Sequence, residues 1–488
     1  MEALQRLHNR GSISTGYDVD YSCKFEHDNA ESLSRGQAQG SQQTWTFSTW
    51  IKRTQLSENS NEPYQNIWSA GSSTSNATHV YFRGDSSYPD NQMFFYMDNG
   101  GSQFWHGRTP QSFRDTSAWY HLVWAVDTTQ GTAANRSKIY INGEQITLDN
   151  VTYPNQNAST RVMDNGGDMY VGALAGNGGY RFNGYLAETV LIDGTQLAAS
   201  DFGEFDSATG IWKPIDVSGL SFGTRGFYLD YSDAANLGND ADGSTVFTEN
   251  YLTSADQATD TPTNNFCIMN MLNRTNGNIK NHEGATKVTT DGSSGWCSMV
   301  ATMGVTKGKW YWEAQRMSTG TPNDVITGIV GSEDAYVPYS SAAQYYIGNV
   351  STSSSIGYYQ KNYPSQEGSV VNGVSLNFYS QGGDTIMFGL DMDNEKMYFG
   401  LNGTWKGTGD SIGGNTAGAS TLHADFDDEF VLPAVSVFQG NNMTINFGGY
   451  AAYTISSAAS DADGYGTFEY APPSGYYALC TKNLEEYG

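Results

Sequence analysis

The segment HLVWAVD at residues 121–127, followed by SKIYINGEQI at residues 137–146, determines the class of fold. Both runs are short, rich in β-branched and aromatic residues, and bounded by polar residues, as is typical of strands. Asn142-Gly143 tolerates the positive φ angles of a type I′ turn and is a strong hairpin signal. The segment therefore predicts a buried strand, a polar turn, a second strand and a return strand after Asn-Gly.

A segment of the same order lies in the other half of the chain, with TIMFGLDMD at residues 385–393 and EKMYFGLNGTW at residues 395–405. Its turn is Asn402-Gly403. Identity between the two segments is low, so they indicate a shared architecture rather than a sequence repeat. Other short strand-like runs, and helical patterns only at residues 2–8 and 196–205, favour antiparallel sandwiches. We predict an all-β protein of two antiparallel β-sandwiches in tandem.

The composition of residues 233–265 predicts the boundary between the sandwiches. This stretch contains NDADGS at 239–244 and ends in TDTPTNN. Such a composition buries little apolar surface and suits a linker or an irregular loop. We therefore predict four parts: an N-terminal segment at 1–16, a first sandwich at 17–232, the linker at 233–265, and a second sandwich with a C-terminal extension at 266–488.

The charge balance excludes several classes of partner. The 488 residues carry 25 Lys and Arg against 51 Asp and Glu, a net charge of −26, although only 16% of residues are charged. Binding nucleic acid through its phosphates requires a basic surface. No apolar run approaches the roughly 18 residues of a membrane span, and the first residues lack the apolar stretch of a secretory signal. We expect no nucleic-acid partner and no membrane insertion.

The four cysteines, Cys23, Cys267, Cys297 and Cys480, form no C-x-x-C pair. This spacing disfavours a zinc site. It leaves two alternatives, four buried thiols or a disulfide between Cys267 and Cys297 on neighbouring strands. We predict no cofactor.

Residues 17–214 resemble a concanavalin-A-like, laminin-G-type sandwich. The resemblance is carried by WTFSTWIKR at 45–53, by TSAWYHLVWAVD at 116–127 with the hairpin after it, and by FNGYLAETVLIDG at 182–194. The second half resembles a SPRY-type sandwich, through KGKWYWEAQ at 307–315, GIVGSED at 328–334, SIGYY at 355–359 and the second hairpin. Both resemblances imply jelly-roll-type, concanavalin-A-like sandwiches.

Loop segments resemble structural proteins of marine bacteriophages, in which a laminin-G-like domain is joined to a SPRY-like one. They are FGEFDSATGIWKPIDVSG at 202–219, GFYLDYSDAANLGND at 226–240, TDTPTNNF at 259–266 and YAPPSGYYALCTKNL at 470–484. The resemblance implies a tail appendage, fibre or capsid decoration on the virion surface. Its partners would be virion proteins and host-surface glycans, its form a homo-oligomer such as a trimer. Residues 1–16 are locally basic, with Arg6 and Arg10 against Glu2, which predicts an anchor to a virion partner. A frayed terminus is the alternative interpretation.

The carboxylates do not form the pattern of a glycoside hydrolase. The sequence E-x-D-x-x-E of concanavalin-A-like glucanases is absent, and Glu188 and Asp193 fall on opposite faces of a regular strand. Asp391, Asp393 and Glu395 alternate on one face but border a turn. We predict a non-enzymatic, lectin-like protein. The alternatives are a structural cement or adaptor without a ligand and, third, a glycan depolymerase.

Aromatic clusters supply the candidate ligand contacts. Eight tyrosines fall within the 44 residues 336–379. Tyrosine combines a flat apolar face with a polar tip, which suits sugar rings or protein interfaces. Packing within the sandwich or between subunits is the alternative interpretation. The candidates are Trp105, His106, Tyr345, Tyr346, Tyr358, Tyr359 and Tyr363.

Three Asp-rich loops offer hard oxygen ligands for a structural calcium ion, at residues 164–165, 240–242 and 461–463. None of them has the spacing of an EF-hand loop. Solvated turns and a calcium site at a loop rim are therefore both kept as interpretations.

Overall fold

The computed structural model describes residues 16–57, 63–176, 178–243, 246–275, 278–290, 295–315, 325–332, 347, 355–359, 363–366, 369–370, 382–405, 411–412, 415–416, 419–421 and 430–488. These residues form two compact units, which divide between Thr263 and Asn264. The first unit is described from Gly16 onward. The possible anchor at residues 1–16 and the helix predicted at 2–8 lie almost entirely outside the described residues.

The first unit is built from two antiparallel sheets. Sheet I has the order β10-β9-β8-β3-β13-β1-β18 with β16 beside β13, and sheet II has the order β11-β7-β6-β5-β4-β12-β2-β17. The strands are β1 (Ser22–Phe25), β2 (Ser32–Gly36), β3 (Thr44–Arg53), β4 (Tyr64–Ser73), β5 (Asn76–Asp85), β6 (Tyr88–Asn99), β7 (Ser102–Ser112), β8 (Trp119–Asp127), β9 (Ser137–Ile141), β10 (Glu144–Ile146), β11 (Asp149–Thr152), β12 (Asp168–Val171), β13 (Gly184–Asp193), β14 (Gly203–Phe205), β15 (Trp212–Pro214), β16 (Phe227–Leu229), β17 (Thr248–Asn250) and β18 (Gln257–Ala258). Strands β14 and β15 form a separate hairpin.

A tryptophan-rich core joins the two sheets. Trp45 of sheet I lies 5.7 Å from Trp68 of sheet II, and Trp105 of sheet II lies 5.0 Å from Trp124 of sheet I, measured between ring centroids. All four side chains are fully buried. This packing is the sandwich that the strand pattern predicts.

The second unit repeats the two-sheet design. Sheet III has the order β19-β22-β34-β24-β25-β26-β27, and sheet IV has the order β20-β21-β35-β23-β28-β29-β30 with β33 beside β29 and β36 beside β23. The strands are β19 (Met269–Arg274), β20 (Ile279–His282), β21 (Lys287–Thr290), β22 (Trp296–Ala301), β23 (Lys309–Gln315), β24 (Val325–Gly331), β25 (Ser355–Tyr359), β26 (Tyr363–Gln366), β27 (Ser369–Val370), β28 (Thr385–Asp391), β29 (Lys396–Leu401), β30 (Thr404–Trp405), β31 (Ser411–Ile412), β32 (Asn415–Thr416), β33 (Ala419–Thr421), β34 (Val431–Phe438), β35 (Asn442–Asn446) and β36 (Tyr477–Ala478). The helix α1 (Thr481–Tyr487) follows.

Both Asn-Gly hairpins are confirmed, and the asparagine makes the same type of hydrogen bond in each of them. The φ angles are 49° and 84° at Asn142-Gly143, and 47° and 78° at Asn402-Gly403. Asn142 Oδ1 accepts a hydrogen bond from the His121 backbone N–H at 2.7 Å. Asn402 Oδ1 accepts one from the Thr385 N–H at 2.9 Å. The asparagine thus adopts the left-handed backbone conformation of the turn and also holds the hairpin to its first strand, β8 or β28, through a side-chain hydrogen bond.

The division between the two units falls inside the predicted stretch 233–265, but residues 233–263 belong to the first sandwich and do not form a linker. Within this stretch, β17 pairs with β2 at the edge of sheet II and β18 pairs with β1 at the edge of sheet I. Two of its acids are buried: Asp256 lies 2.8 Å from Lys24 Nζ, and Asp260 lies 2.5 Å from Lys52 Nζ. Part of the polar composition therefore supplies partners for two buried lysines.

Two smaller expectations are also settled. Residues 196–205 form a 3₁₀ turn at Ala199–Asp201 and then strand β14, so the predicted helix is wrong. All four cysteines are buried thiols outside any disulfide, so the four-thiol interpretation holds and the disulfide alternative is wrong. Burial raises the pKa of the Cys480 thiol to about 12, which makes it a weak nucleophile.

The C-terminal extension covers the outer face of sheet IV through an aromatic cluster that includes Tyr311, Trp405 and Phe468. Glu313 on β23 fixes this extension. Its carboxylate accepts hydrogen bonds from the Tyr453 hydroxyl at 2.8 Å, from the backbone N–H groups of residues 469 and 470 at 2.9 and 2.8 Å, and from the Tyr311 hydroxyl at 2.8 Å. One buried carboxylate thus connects a central strand to two points of the extension.

Candidate functional site

The outer face of sheet II carries a dense group of aromatic and polar side chains. Successive residues of a strand point to opposite faces. On β5 and β6 the core therefore receives Val80, Phe82, Met93, Phe95 and Met97. The outer face receives the residues between them, which are His79, Tyr81, Arg83, Phe94, Tyr96 and Asp98.

Rings on this face stack along β5 and from one strand to the next. His79 and Tyr81 are 5.2 Å apart with planes at 17°, and Tyr81 and Tyr96 are 5.7 Å apart with planes at 14°. Tyr96 and His106 are 6.1 Å apart with planes at 23°. The ring faces partly cover one another, which leaves Tyr81 only 6% exposed. Such cross-strand aromatic pairs stabilise the sheet and hold their polar edges in fixed positions.

A cavity of about 460 Å³ opens beside these rings, and we call it the tyrosine cavity. Its volume lies in the range of small-molecule sites. Tyr180 forms one exposed wall, at 45% exposure, and lies 5.1 Å from Tyr64 in an edge-to-face contact. The lining residues are Tyr64, Asn66, Thr74, His79, Tyr81, Arg83, Tyr96, Asp98, Leu174 and Tyr180.

A buried polar chain lies along one side of the cavity. Asn66 Nδ2 donates to the Tyr180 backbone carbonyl at 3.1 Å, which orients the amide so that its Oδ1 faces His79 Nδ1, also at 3.1 Å. His79 Nε2 faces Asp98 Oδ2 at 3.9 Å. Asn66, His79 and Asp98 are 1%, 9% and 8% exposed.

The cation of the cavity, Arg83, already has a carboxylate partner. Its Nε donates to Asp85 Oδ2 at 2.6 Å. Its guanidinium lies 4.1 Å from the Tyr88 ring centroid and 5.2 Å from that of Tyr64. Arg83 thus packs against the Tyr64 and Tyr88 rings, and Asp85 neutralises its charge.

The predicted ligand residues divide between this face and the core. His106 lies on the outer face at the end of the ring stack, whereas Trp105 is fully buried against Trp124 and has no surface for a ligand. Tyr358 is 1% exposed and packs 6.1 Å from Phe399. Tyr345 and Tyr346 lie outside the described residues, as do the side chains of Tyr359 and Tyr363.

Sequence reasoning missed most of the tyrosine cavity. Tyr64, His79, Tyr81, Tyr96 and Tyr180 were not candidates. The alternation in HVYFR at residues 79–83 and in FFYMD at residues 94–98 places one polar-tipped set on a single face of each strand. This alternation could have identified both strands as candidates for a ligand-binding face, but it does not show that the two strands pair.

The carboxylates considered for hydrolysis serve internal contacts. Glu188 lies at a β-bulge of β13 with φ of 49°, and it accepts hydrogen bonds from the Tyr228 hydroxyl at 2.9 and 3.0 Å and from the Tyr17 hydroxyl at 3.2 Å. Burial raises the pKa of Glu188 to about 8. Asp193 accepts from the backbone N–H groups of Ser41 and Arg225 at 2.8 and 3.1 Å.

The carboxylates of the three Asp-rich loops also have protein partners. Asp164 pairs with Arg161 at 2.8 Å, and Asp240 accepts from the Tyr228 N–H at 2.9 Å. Asp461 accepts from the backbone N–H groups of residues 463, 465 and 478 and from the Asn483 amide. A calcium ion at one of these loops stays a prediction.

Comparison with known proteins agrees with the fold. Residues 26–199 match the family model of the concanavalin A-like lectin/glucanases superfamily. The first unit therefore contains a concanavalin-A-like, laminin-G-like domain, and the predicted all-β class is confirmed. No curated protein matches the chain. No helix among the described residues is long and apolar enough to cross a membrane.

Several solved structures are similar to parts of the chain. The SPRY domain of human HERC1 is 19% identical with a TM-score of 0.27, covering 36% of this chain and 96% of its own. A human SPRY domain is 18% identical with a TM-score of 0.25, covering 34% and 94%. The native heptameric SAP-like pentraxin from Limulus polyphemus is 17% identical with a TM-score of 0.27, covering 42% and 100%.

Proposed function

We propose that the protein is a non-enzymatic bacteriophage virion surface protein whose first unit binds a glycan in the tyrosine cavity. The observation that carries this proposal is the cavity itself, in which four tyrosines surround the buried polar chain Asn66–His79–Asp98. Ligand sites commonly combine an apolar or aromatic wall with a few fixed polar groups. The tyrosine rings would contact the apolar face of a sugar, and the hydroxyls and acceptors would bind its polar groups.

The contacts of the buried titratable groups support a non-enzymatic role. His121 and Ser48 are 2.9 Å apart, as a catalytic base and nucleophile would be. However, His121 Nδ1 accepts a hydrogen bond from Trp212 Nε1–H at 3.0 Å, so Nε2 carries the proton and donates it to Ser48. Burial lowers the pKa of His121 to about 3. This pair therefore positions strands and does not activate the hydroxyl.

The virion location rests on the resemblance of the loop segments to phage structural proteins. In this proposal, the protein lies on the virion surface as a tail appendage, fibre or capsid decoration, as a homo-oligomer such as a trimer. Residues 1–16 anchor it to virion partners, and host-surface glycans are its ligands. Deleting residues 1–16 should reduce incorporation into particles while leaving the sandwiches folded, and incorporation at the wild-type level would place the anchor elsewhere.

Glycan binding is tested with a pair of exposed tyrosines that differ in location. Tyr180 and Tyr251 are 45% and 75% exposed and share positive φ angles of 49° and 59°, but only Tyr180 lines the cavity. We expect a glycan array to reveal ligands for the wild-type protein. Tyr180→Ala should weaken their binding about tenfold, the loss typical of one aromatic contact. Tyr251→Ala should leave it unchanged.

The same experiment separates the alternatives. An array without any ligand, together with normal particle assembly, would favour a structural cement or adaptor. Release of reducing ends from a bound glycan would favour a depolymerase. Equal weakening by Tyr180→Ala and Tyr251→Ala would show that binding does not use the cavity.

A further inference from the structure

We propose that the tyrosine cavity selects a ligand with a primary ammonium group, which for a glycan means an amino sugar with a free amine. This inference rests on the proposed function and adds the ligand's chemical class. It is carried by the relationship between Asp98 and His79, by the tyrosine walls, and by the charge partners of the neighbouring residues.

Asp98 is a buried carboxylate that accepts no hydrogen bond at Oδ1 from the part of the chain that the structure describes. The residue is 8% exposed, and among the described residues its Oδ1 atom has no hydrogen-bond partner. Its Oδ2 atom faces His79 Nε2 at 3.9 Å, which is beyond hydrogen-bond range. Burial of an ionised carboxylate is costly unless a cation or several donors compensate it. The Asp98 carboxylate therefore has acceptor capacity for a cationic donor in the cavity.

His79 contributes a second acceptor to the same gap. Because Asn66 Nδ2 donates to the Tyr180 carbonyl, Asn66 Oδ1 must accept, and His79 Nδ1 must carry the proton. When this imidazole is neutral, its lone pair lies on Nε2 and is directed toward Asp98. In that form, His79 Nε2 and Asp98 Oδ2 are two acceptors that face each other across 3.9 Å.

An ammonium group matches this gap better than a hydroxyl does. A nitrogen about 2.8 Å from each acceptor fits between atoms that are 3.9 Å apart. A hydroxyl donates a single hydrogen bond and can satisfy one of them, whereas an ammonium donates three and carries the opposite charge to Asp98. Charge-assisted hydrogen bonds of this kind are roughly twice as strong as neutral ones.

The tyrosine rings that line the cavity and the net negative charge of the protein also favour a cationic ligand. Tyr64, Tyr81, Tyr96 and Tyr180 line the cavity, and aromatic rings attract ammonium groups through their quadrupoles. The chain carries a net charge of −26, which raises the local concentration of cationic ligands. Arg83, the cation of the lining, is paired with Asp85 at 2.6 Å, so its charge is already balanced.

The test uses oligosaccharides that differ only in acetylation. Glucosamine oligomers carry free amines, and N-acetylglucosamine oligomers of equal length have the same backbone without the charge. We expect the full-length wild-type protein to bind the free-amine form at least about tenfold more tightly, as a charge-assisted contact and a cation–π contact together predict. Asp98→Asn should reduce that preference to near unity.

Asp90→Asn is the matched control, because Asp90 lies on the same strand, is exposed and is not part of the cavity lining. It removes the same charge and should keep the preference. Thermal unfolding supplies a readout independent of binding. Asp98→Asn should raise the unfolding temperature, because it removes a buried charge that lacks a close partner. If Asp98 instead stabilises a protonated His79, the substitution removes that ion pair and the unfolding temperature should fall.

The outcomes distinguish the ammonium inference from the proposed glycan binding. Equal binding of both oligomers in the cavity, or equal losses in Asp98→Asn and Asp90→Asn, overturns the ammonium inference and leaves glycan binding standing. Binding of a simple alkylammonium ion without any oligosaccharide supports the inference and overturns the glycan function. Absence of binding by every probe overturns both.

Discussion

Asp98 on β6 and His79 on β5 face each other across 3.9 Å at the side of the tyrosine cavity, and no hydrogen bond joins them. Each is more than nine-tenths buried. Two buried acceptors that face each other without a donor cost stability. A ligand that donates to both, as we propose above, would remove this cost.

The tautomer of His79 is a direct consequence of Asn66. We expect nitrogen NMR of the wild-type protein near neutral pH to show the proton of His79 on Nδ1, held by Asn66 Oδ1 at 3.1 Å. Asn66→Ala should give a mixture of tautomers and weaker ligand binding, because Nε2 is then an acceptor only part of the time. A proton on Nε2 in the wild-type protein would contradict the assignment.

Glu188 should make the stability of the first unit depend on pH. Its folded pKa of about 8 lies above its ordinary value of 4.5 because the carboxyl is buried. The native state therefore holds the proton more tightly, so this contribution is complete below pH 4.5 and is lost as the pH rises through 8. We expect the free energy of unfolding of the wild type, relative to Glu188→Gln, to fall from pH 5 to pH 9.

The denaturant measurement for Glu188 has an exposed control on β10, Glu144→Gln, which should show no such trend. Glu31, whose pKa burial raises to about 7, contributes in the same direction, but it is unchanged in both variants and cancels in the comparison. A relative stability that rises with pH would contradict the sign.

Asp260 should hold residues 233–263 onto the first sandwich. Its carboxylate pairs with Lys52 Nζ at 2.5 Å and accepts from Trp119 Nε1–H at 3.0 Å. Asp260→Ala leaves a buried lysine without this carboxylate and should cost about 3–5 kcal/mol of unfolding free energy. The exposed Asp233→Ala should cost far less, since surface changes are usually within about 0.5 kcal/mol.

Limited proteolysis gives a second test of this segment. We expect β17 and the segment from β18 to Asp260 to resist cleavage in the wild-type protein and to be cut in Asp260→Ala. Early cleavage of the wild type at these positions would restore the linker interpretation, because backbone paired in a sheet opens only at a free-energy cost.

Glu313 should control the C-terminal extension. Glu313→Ala removes the acceptor of hydrogen bonds from Tyr453 and from the backbone at residues 469 and 470. We expect a loss of several kcal/mol and faster amide exchange at those two residues. The exposed Glu485→Ala on α1 should change neither quantity, and normal protection in Glu313→Ala would show that ring packing alone holds the extension.

The sequence predicted those features that depend on neighbouring residues. Asn142-Gly143 and Asn402-Gly403 specify their turns locally, so both hairpins and the sandwich class could be derived. The pairs Lys24–Asp256 and Lys52–Asp260 could not, because each joins residues more than 200 positions apart and acidic loop residues usually face water. Composition alone therefore predicted a linker at residues 233–265, whereas β17 and β18 of this stretch pair with strands of both sheets of the first unit.

The candidate site shows the same limit. His106 was identified from its aromatic neighbourhood, but its partner Trp105 points to the core because adjacent strand residues alternate between faces. The cavity depends on which strands pair, and Tyr180 reaches it from the loop before β13. A single sequence does not show that Tyr180 lies beside the outer face of β5 and β6.

The most direct test is a crystal structure of the protein with a glucosamine oligomer. We expect a sugar in the tyrosine cavity, in contact with Tyr180, with its amine nitrogen within hydrogen-bond distance of both Asp98 Oδ2 and His79 Nε2. An oligomer bound elsewhere on the protein, with the cavity holding only water, would contradict it.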